Sequence, residues 1–345
     1  MSASKEENTQ VLFVKRPADR LDVAETFAIA RQPMPTPADG QLLLRIIYLS
    51  IDPGTRSWME DRRSYVSPLV LNEMMRGSGV AEVIESRCAD YSVGDIVIAS
   101  TGWQEYAAVD ATLVSRLSVP EGIALPVAFA GLHIAGLTAY FGMLDIGQIK
   151  AGQTVVVSGA AGATGSIAVQ IAKLHGCRVI GIAGGPDKCR HLTEVLGVDV
   201  ALDYRATTFE EDLATATPAF VDVFYDNVGG DVLDAVLLRL AKCSRIVLCG
   251  GISQYDRAEA RGPKNYLEII KQSASMVGFV LYDYKSRYPE AAAALAQWIA
   301  EGKIKVCVDV QEGGVSKAPD ALARLFSGKN IGKQLVRVGA EPGNQ

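Results

Sequence analysis

The chain has 345 residues, of which 49% are hydrophobic and 21% are charged, and this length predicts two domains of ordinary size. Such a composition excludes a disordered, collagenous or disulfide-scaffold protein. Thirty-four lysines and arginines stand against 39 aspartates and glutamates, so the formal charge is -5 and no attraction to nucleic acid or anionic lipid is expected.

The amino terminus does not have the pattern of a secretory signal. Lys5, Glu6 and Glu7 are charged, and no apolar stretch follows a basic start. We therefore expect a cytoplasmic protein in a reducing compartment. The six cysteines include no C-x-x-C pair, which predicts free thiols.

Residues 122–144 form a stretch without formal charge that is long enough to cross a bilayer. Pro126, His133, Thr138 and four glycines interrupt it, however, and such residues weaken a membrane span. The sequence favours a buried connector that leads into a core helix, with no membrane partner.

The first third of the chain predicts short strands at 41–51, 79–84, 95–99 and 105–109, separated by Pro, Gly-Asp and Ser-rich breaks. This texture indicates a small barrel or sandwich. From about residue 130, strands alternate with helices, as a parallel sheet with covering helices requires. The predicted strands are 154–158, 178–183, 199–202, 221–226 and 245–249, and the predicted helices are 166–174 and 187–196.

After Gly302 the sequence predicts a strand at 305–310, a helix at 319–327 and a last strand at 333–338. We expect the ends, 1–9 and 339–345, to be loose tails.

The most informative segment is TVVVSGAAGATGSIAVQIAKLHG, in which an apolar strand runs into Gly159, Gly162 and Gly165 and then into an amphipathic helix. A second strand, CRVIGIAG, follows at the distance that a β-α-β unit needs. Backbone amides at the start of that helix would face a pyrophosphate and use the helix dipole. A tight turn without a ligand is the less favoured interpretation.

The end of the second strand indicates which dinucleotide is bound. An NAD-binding fold usually carries Asp or Glu there, whereas this chain has Gly184, Gly185 and Pro186. Lys188 opens the next helix and is close enough to pair with a 2′-phosphate, which favours NADPH. Asp187 is a mild counter-argument, and Lys188 is open to interpretation as a solvated surface lysine.

No convincing zinc site is predicted. The chain has only three histidines, His133, His175 and His191, which are better explained as polar residues at helix ends, and its first third holds one cysteine, Cys88. The group that polarises a substrate oxygen is then a tyrosine hydroxyl, a backbone amide or the cofactor ribose.

The sequence resembles the zinc-free medium-chain dehydrogenase/reductases, which include the leukotriene B4 12-hydroxydehydrogenase/prostaglandin reductases, plant alkenal double-bond reductases and bacterial curcumin reductases. The similarity spans nearly the whole chain. It rests on LSIDPGTRSWM, SYVSP, MRGSGVAEV, GWQEY, GLTAYFG, SGAAGATGS, GIAGGPDKC, YDNVGG, LCGGISQY, RGPKNYL, GFVLYDY, WIAEGKI and LFSGKNIGKQLV.

The resemblance implies an α/β protein with a GroES-like β-barrel domain at 1–129 and 310–345. A Rossmann domain with a doubly wound parallel sheet is implied at 130–309, with an NADPH cleft between the two domains. The cofactor residues that it implies are Gly162, Ala163, Thr164, Gly165, Lys188, Tyr204, Asn227, Cys249, Gly250, Ser253, Tyr255, Phe279, Val280, Leu281 and Asn330. Tyr204 and Asn227 are also open to interpretation as a strand-end cap and a turn former.

Two positions depart from the family pattern. Gly54 and Thr55 follow the DP of the barrel segment where many relatives have an aromatic residue, which removes a ring from the expected substrate wall. His133 and Ile134 stand where Met-Pro is common.

The family reaction is hydride transfer from NADPH to the β-carbon of an α,β-unsaturated ketone or aldehyde, followed by protonation at the α-carbon. A neutral tyrosine can donate a hydrogen bond to the carbonyl and pass on a proton. Tyr266 in RGPKNYL and Tyr65 in SYVSP are the catalytic candidates, although each is about as readily explained as cover for a hydrophobic wall. The alternatives are a quinone reductase and a non-catalytic NADPH-binding protein.

Residues 274–284 predict one long strand, which in relatives forms the sheet edge that pairs across a two-fold axis. The resemblance therefore implies a homodimer.

Overall fold

A computed structural model of the chain describes residues 7–343. The chain divides into two compact units. Unit 1 holds the described residues up to Val119, together with Asp309–Lys329 and the residues from Gln334 onward, and unit 2 holds Pro120–Val308 and Asn330–Lys333.

The chain forms sixteen strands and twelve α-helices within the described residues. The strands are β1 (Glu7–Phe13), β2 (Phe27–Pro33), β3 (Gln41–Ser50), β4 (Glu73–Met74), β5 (Gly79–Ser86), β6 (Ile96–Ala99), β7 (Tyr106–Asp110), β8 (Ser115–Arg116), β9 (Thr154–Ser158), β10 (Arg178–Ala183), β11 (Val200–Asp203), β12 (Val221–Asp226), β13 (Leu240–Leu248), β14 (Ser275–Gly278), β15 (Val308–Gln311) and β16 (Lys333–Arg337). The α-helices are α1 (Val23–Thr26), α2 (Thr55–Trp58), α3 (Leu125–Leu132), α4 (Ile134–Phe141), α5 (Ala163–Leu174), α6 (Pro186–Arg190), α7 (Phe209–Ala216), α8 (Gly230–Leu237), α9 (Ile252–Tyr255), α10 (Leu267–Lys271), α11 (Tyr288–Ala300) and α12 (Ala318–Phe326).

Unit 1 is built from antiparallel strands around one hydrophobic core. Its larger sheet has the order β15-β16-β3-β5-β6-β8, with β7 also paired to β3, and a three-stranded sheet has the order β2-β1-β4. The alternating apolar residues of β3 and β5 point into this core, where Trp103 is fully buried. The strands predicted in the first third of the chain are confirmed.

Unit 2 is a parallel six-stranded sheet with the order β11-β10-β9-β12-β13-β14. Counted from β9, this is the order 3-2-1-4-5-6 of a doubly wound dinucleotide fold, and it confirms the predicted fold class for this unit. Separate hydrophobic clusters, one around α4 and α5 and the other around α7 and α8, contain buried residues of the sheet. The order in which successive strands are added reverses between β9 and β12, so ligands are expected at the carboxyl ends of these two strands.

The boundary between the units differs from the predicted one by ten residues. It lies at Val119/Pro120 rather than at 129/130 because α3 packs on α4 and α11 of unit 2. A Cβ atom at Gly131 in α3 would lie 2.7 Å from a side-chain carbon of Ile299 in α11. The returning chain is also divided, since Asn330–Lys333 belongs to unit 2.

The apolar segment Leu125–Ile146 is long and apolar enough to cross a bilayer, but 61% of its 18-residue window is buried inside the fold. Such burial is typical of a core helix in a folded domain, which is the interpretation that the sequence favoured over a membrane span. The helix is interrupted at His133, where α3 ends and α4 begins.

Two predicted elements were wrong. Glu7–Thr9 was expected in a loose tail but starts β1, which pairs with β2 along its whole length; Met1–Glu6 lies outside the described residues. The strand predicted over 274–284 ends at Gly278 and is followed by a 3-10 helix, Leu281–Arg287. The ring of Tyr284 in that helix stacks on Phe141 at 4.6 Å, which takes the chain away from the sheet.

Candidate nucleotide site and reaction residues

The glycine loop follows β9 directly, at the carboxyl end of the sheet. Gly159 has a φ of +58°, which turns the chain sharply at low cost only for glycine. A Cβ atom at Gly165 would lie 2.3 Å from the carbonyl oxygen of Gly159, so the first turn of α5 packs tightly on the loop. The strand, turn and helix predicted around these glycines are confirmed.

Helix α5 begins at Ala163, after Gly162, and no side chain caps its amino end. The first amides of an α-helix have no acceptor within the helix, and the helix dipole adds positive potential there. Gly162, Ala163 and Thr164 are partly exposed, so this end of the helix is accessible. The loop fits a pyrophosphate group, because it offers amides and lacks Cβ atoms at Gly159, Gly162 and Gly165.

A short returning segment lies against the glycine loop. The amide of Gly332 donates to the carbonyl of Ala161 at 2.8 Å, and Gly332 forms a parallel bridge with Gly162. The buried Asn330 side chain donates to the carbonyl of Gly332 at 2.9 Å. Asn330 therefore lies beside the loop and supports the bend that reaches it.

The end of β12 is joined to the end of β9 by a buried polar network. The carboxylate of Asp226 accepts from Ser158 Oγ at 2.6 Å and from the amides of Val228 and Gly229 at 3.0 and 3.1 Å. The side chain of Asn227 donates to the Ser158 carbonyl at 2.7 Å. Burial raises the pKa of Asp226, and no sequence pattern had indicated this residue.

The segment that contains Cys249, Gly250, Ser253 and Tyr255 folds over the same turn. The amide of Ser253 and its hydroxyl both donate to the carbonyl of Val228, at 3.1 and 2.6 Å. Burial raises the pKa of the Cys249 thiol to about 12, so this thiol stays protonated at neutral pH. The loop that the resemblance placed under the nicotinamide thus lies next to Asn227.

Tyr204 and Lys188 lie near the end of β10. The amide of Tyr204, which follows β11, donates to the carbonyl of Ala183 at 3.1 Å, and Lys188 is half-buried in α6. A Cβ atom at Gly184 would lie 3.0 Å from the Tyr204 hydroxyl oxygen, so the tyrosine ring covers this glycine. Sequence reasoning missed the neighbouring Arg205, whose Nε atom would lie 2.9 Å from the same Cβ atom.

Asp187, whose negative charge counted against NADPH in the sequence, forms an ion pair in the structure. Its carboxylate forms an ion pair with Arg190, three residues further along α6. The negative charge is therefore partly compensated within the helix.

Phe279, Val280 and Leu281 connect β14 to the 3-10 helix. The ring of Phe279 meets Tyr284 edge-on at 6.3 Å, and the carbonyl of Leu281 accepts from the hydroxyl of Tyr288 at 3.0 Å. These residues are partly exposed and follow the carboxyl end of β14. Because the sheet is parallel, they lie at the same end of the strands as the glycine loop.

Tyr266 precedes α10, and its side chain is 55% exposed. The preceding loop is fixed to α8, since the backbone amides of Lys264 and Asn265 donate to the Asp234 carboxylate at 2.6 and 3.2 Å. The amide of Arg261, at the other end of this loop, donates to Gln254 at 2.8 Å. The structure thus brings the loop of Tyr266 next to residues 249–255, which were predicted to contact the cofactor.

Tyr65 belongs to unit 1 and is 53% exposed. Its hydroxyl oxygen accepts a hydrogen bond from Trp58 Nε1 at 3.2 Å, and it would lie 3.5 Å from a Cβ atom at Gly54. The guanidinium of Arg76 lies 5.8 Å from the centre of the Trp58 ring and donates to the Ser67 carbonyl at 2.9 Å. Gly54, which departs from the family pattern, thus lies directly beside the Tyr65 hydroxyl.

Among residues 7–343, no group of three or more His, Cys, Asp or Glu side chains is arranged to hold a metal ion. His133 and His175 lie at helix ends, as expected, and His191 begins a π-helical turn after α6. All six cysteines are free thiols.

Comparison with known proteins gives two family matches. The family described as the N-terminal domain of oxidoreductase matches residues 9–117, and the family described as zinc-binding dehydrogenase matches residues 163–298. The second description names zinc, whereas the described part of this chain offers no cluster of metal ligands.

Relatives match over almost their whole length. The NADPH-dependent curcumin reductase of Escherichia coli is 40% identical and aligns with 99% of this chain and 100% of its own. The NADP⁺-dependent 2-alkenal reductase of Nicotiana tabacum is 37% identical over 87% of this chain and 88% of its own. The crystal structure of CurA from Vibrio vulnificus in complex with NADPH has 41% identity and a TM-score of 0.91, covering 96% of this chain and all of that chain.

These matches confirm the predicted architecture of a Rossmann domain with a GroES-like domain, and they agree with the strand order of unit 2. The chain belongs to the zinc-free reductases of the medium-chain dehydrogenase/reductase family, together with curcumin reductase and 2-alkenal reductase.

Proposed function

We propose that this protein reduces the carbon-carbon double bond of α,β-unsaturated ketones and aldehydes with NADPH. The observation that carries the proposal is the glycine loop of unit 2, which ends in the uncapped amino terminus of α5 at the switch point of a 3-2-1-4-5-6 sheet. The relatives add the reaction class, since one is named for 2-alkenal and another for curcumin, and both names include the cofactor.

The residues at the carboxyl end of β10 favour NADPH over NADH as the cofactor. Gly184 and Gly185 stand where an NAD-binding fold carries a carboxylate, so no negative charge at that position repels a 2′-phosphate. Lys188 and Tyr204 supply a cation and a hydroxyl near the same glycines.

NADPH, when bound, supplies the hydride that the β-carbon of the substrate receives. The residues of this chain then have two tasks, which are to hold the substrate carbonyl with a hydrogen-bond donor and to deliver a proton to the α-carbon of the enolate. A tyrosine hydroxyl performs both, and Tyr266 and Tyr65 are the candidates. The 249–255 segment orients the reacting end of the site, because Ser253 fixes it to the turn after β12.

The test is a substrate panel in which NADPH consumption is followed with enones, quinones and saturated aldehydes. We expect turnover of enones and enals, with the saturated ketone or aldehyde as the product. Turnover of quinones alone would replace the proposal by a quinone reductase. Tight binding of NADPH without any turnover would indicate a non-catalytic nucleotide-binding protein.

We further propose that the chain forms a homodimer through the edge of the unit 2 sheet. The supporting observation is that β14 is the last strand of the sheet and that its residues are only partly buried. An open edge strand pairs readily with another strand. Light scattering at micromolar concentration should give the mass of two chains, and a monomeric mass would contradict the proposal.

A further inference from the structure

We propose that Arg205 is a further specificity-determining residue, which binds the 2′-phosphate of the cofactor together with the hydroxyl of Tyr204. The inference rests on the proposed function only in taking NADPH as the cofactor. It assigns the discrimination between NADPH and NADH to a residue that follows β11, in addition to Lys188 in α6.

Arg205 and Tyr204 both lie over the two glycines after β10. A Cβ atom at Gly184 would be 2.8 Å from Tyr204 Cε1 and 2.9 Å from Arg205 Nε, and one at Gly185 would be 3.9 Å from Arg205 Nη1. Only glycine leaves room for both side chains at the first position. The guanidinium is therefore held at the strand end where a dinucleotide fold binds the ribose of the adenosine.

The two side chains also hold one another. The Arg205 guanidinium lies 5.6 Å from the centre of the Tyr204 ring, within the range of a cation–π contact. The hydroxyl of Tyr204 can donate its hydrogen to an anion, and the guanidinium of Arg205 carries further donors. The pair thus presents several hydrogen-bond donors toward a phosphate.

The positive charge of Arg205 is not used in an ion pair within residues 7–343. No carboxylate oxygen in this range lies within 4.0 Å of the guanidinium nitrogens of Arg205. Arg190, in contrast, forms an ion pair with Asp187. The nearest carboxylate in sequence, Asp203, accepts instead from the backbone amides of Gly185 at 2.9 Å and Arg205 at 3.0 Å. That carboxylate shapes the turn, and although its charge also acts on Arg205, the two side chains form no ion pair.

A guanidinium matches a phosphate in geometry as well as in charge, since its N–H groups can bind two oxygens at once. A ribose hydroxyl gains much less from it. Arg205 should therefore favour nucleotides that carry the 2′-phosphate and leave the binding of the others nearly unchanged.

The experiment compares the full-length protein with the Arg205→Gln and Arg205→Lys variants. Affinities for NADPH and NADH are measured by fluorescence titration, and those for 2′,5′-ADP and 5′-AMP by calorimetry. For Arg205→Gln we expect Kd to rise about tenfold or more for NADPH and 2′,5′-ADP. The Kd for NADH and 5′-AMP should change less than about twofold, and Arg205→Lys should recover part of the loss, because it keeps the charge but not the planar fork.

Two further variants calibrate the result. Lys188→Glu should raise the Kd and KM for NADPH far more than those for NADH, because it puts a negative charge beside the phosphate. Lys242→Gln removes one positive charge from β13, close to the opposite end of the parallel sheet, and should leave both affinities unchanged. It controls for the loss of net charge alone.

The outcomes separate the role of Arg205 from the choice of cofactor. If wild type prefers NADPH and Arg205→Gln keeps the same preference, Arg205 is a solvated surface residue and the inference is wrong. If wild type binds NADPH and NADH equally, both the inference and the proposed cofactor are wrong.

Discussion

Replacing Gly165 with alanine should raise the Kd for NADPH by about 50- to 100-fold. The added methyl group would lie 2.3 Å from the carbonyl oxygen of Gly159 and 2.9 Å from Cα of Ala160, and both are backbone atoms that cannot rotate away. The loop must shift, and overpacking of this kind costs up to about 3 kcal/mol. Such a shift moves the first amides of α5 from the pyrophosphate.

A graded series makes this prediction specific. Gly162→Ala places its methyl group 3.1 Å from the Gly159 carbonyl at a φ of -85°, so we expect a smaller rise in Kd, below about tenfold. Gly262→Ala meets no atom within 4 Å and should bind NADPH like wild type.

Fluorescence titration gives the Kd values, and circular dichroism shows whether each variant is folded. A change below about threefold in the Kd of a folded Gly165→Ala variant would show that the loop does not bind the pyrophosphate as proposed.

The nucleotide loop was predictable because its signal is local. Strand, three glycines and helix follow one another within the segment from Thr154 to Leu174, and the structure confirms all three parts. Propensity and helix-capping rules act over such short distances, so the sequence alone predicts the turn and the exposed helix end.

Arg205 was not predictable in this way, because its position depends on a contact between β10 and β11. It stands 21 residues after Gly184, and only the parallel pairing of Ala183 with Asp203 brings them together. The buried carboxylate of Asp226 was missed for a related reason, since its partner Ser158 lies on β9. Such contacts between strands have no periodic signal along the chain.

The prediction for residues 274–284 failed for a different reason. The run ASMVGFVLYDY is apolar and aromatic, and this composition favours a strand. In the structure Phe279 and Tyr284 pack on the helical cluster around Phe141, so burial of their rings outweighs continued pairing with β13. Tertiary packing commonly overrides local propensity in this way.

Gly54, where many relatives carry an aromatic residue, lies next to the hydroxyl of Tyr65. The missing aromatic ring leaves the space beside Gly54 to the hydroxyl of Tyr65, which Trp58 holds by a hydrogen bond. Sequence reasoning predicted a changed substrate wall there, but it did not indicate that a catalytic candidate lies in that space.

Replacing Tyr266 with phenylalanine should lower kcat for an enone by about 100-fold and leave the Kd for NADPH within about twofold. The variant keeps the ring and removes only the hydroxyl, which we propose as the donor to the substrate carbonyl. Its loop stays fixed, because the bonds to Asp234 come from the backbone amides of Lys264 and Asn265. Steady-state kinetics with saturating NADPH measure kcat, and fluorescence titration measures Kd.

Tyr65→Phe is the competing variant and Tyr91→Phe the control. The Tyr91 hydroxyl donates to the Val114 carbonyl at 2.8 Å in unit 1 and belongs to no segment assigned to the cofactor or substrate, so the kcat of this variant should match wild type. If Tyr65→Phe shows the 100-fold loss and Tyr266→Phe loses less than about threefold, Tyr266 is excluded as the donor and the hydroxyl held by Trp58 takes that role. If neither variant loses more than about threefold, the donor is not a tyrosine at these positions, and a backbone amide or the cofactor ribose must polarise the carbonyl.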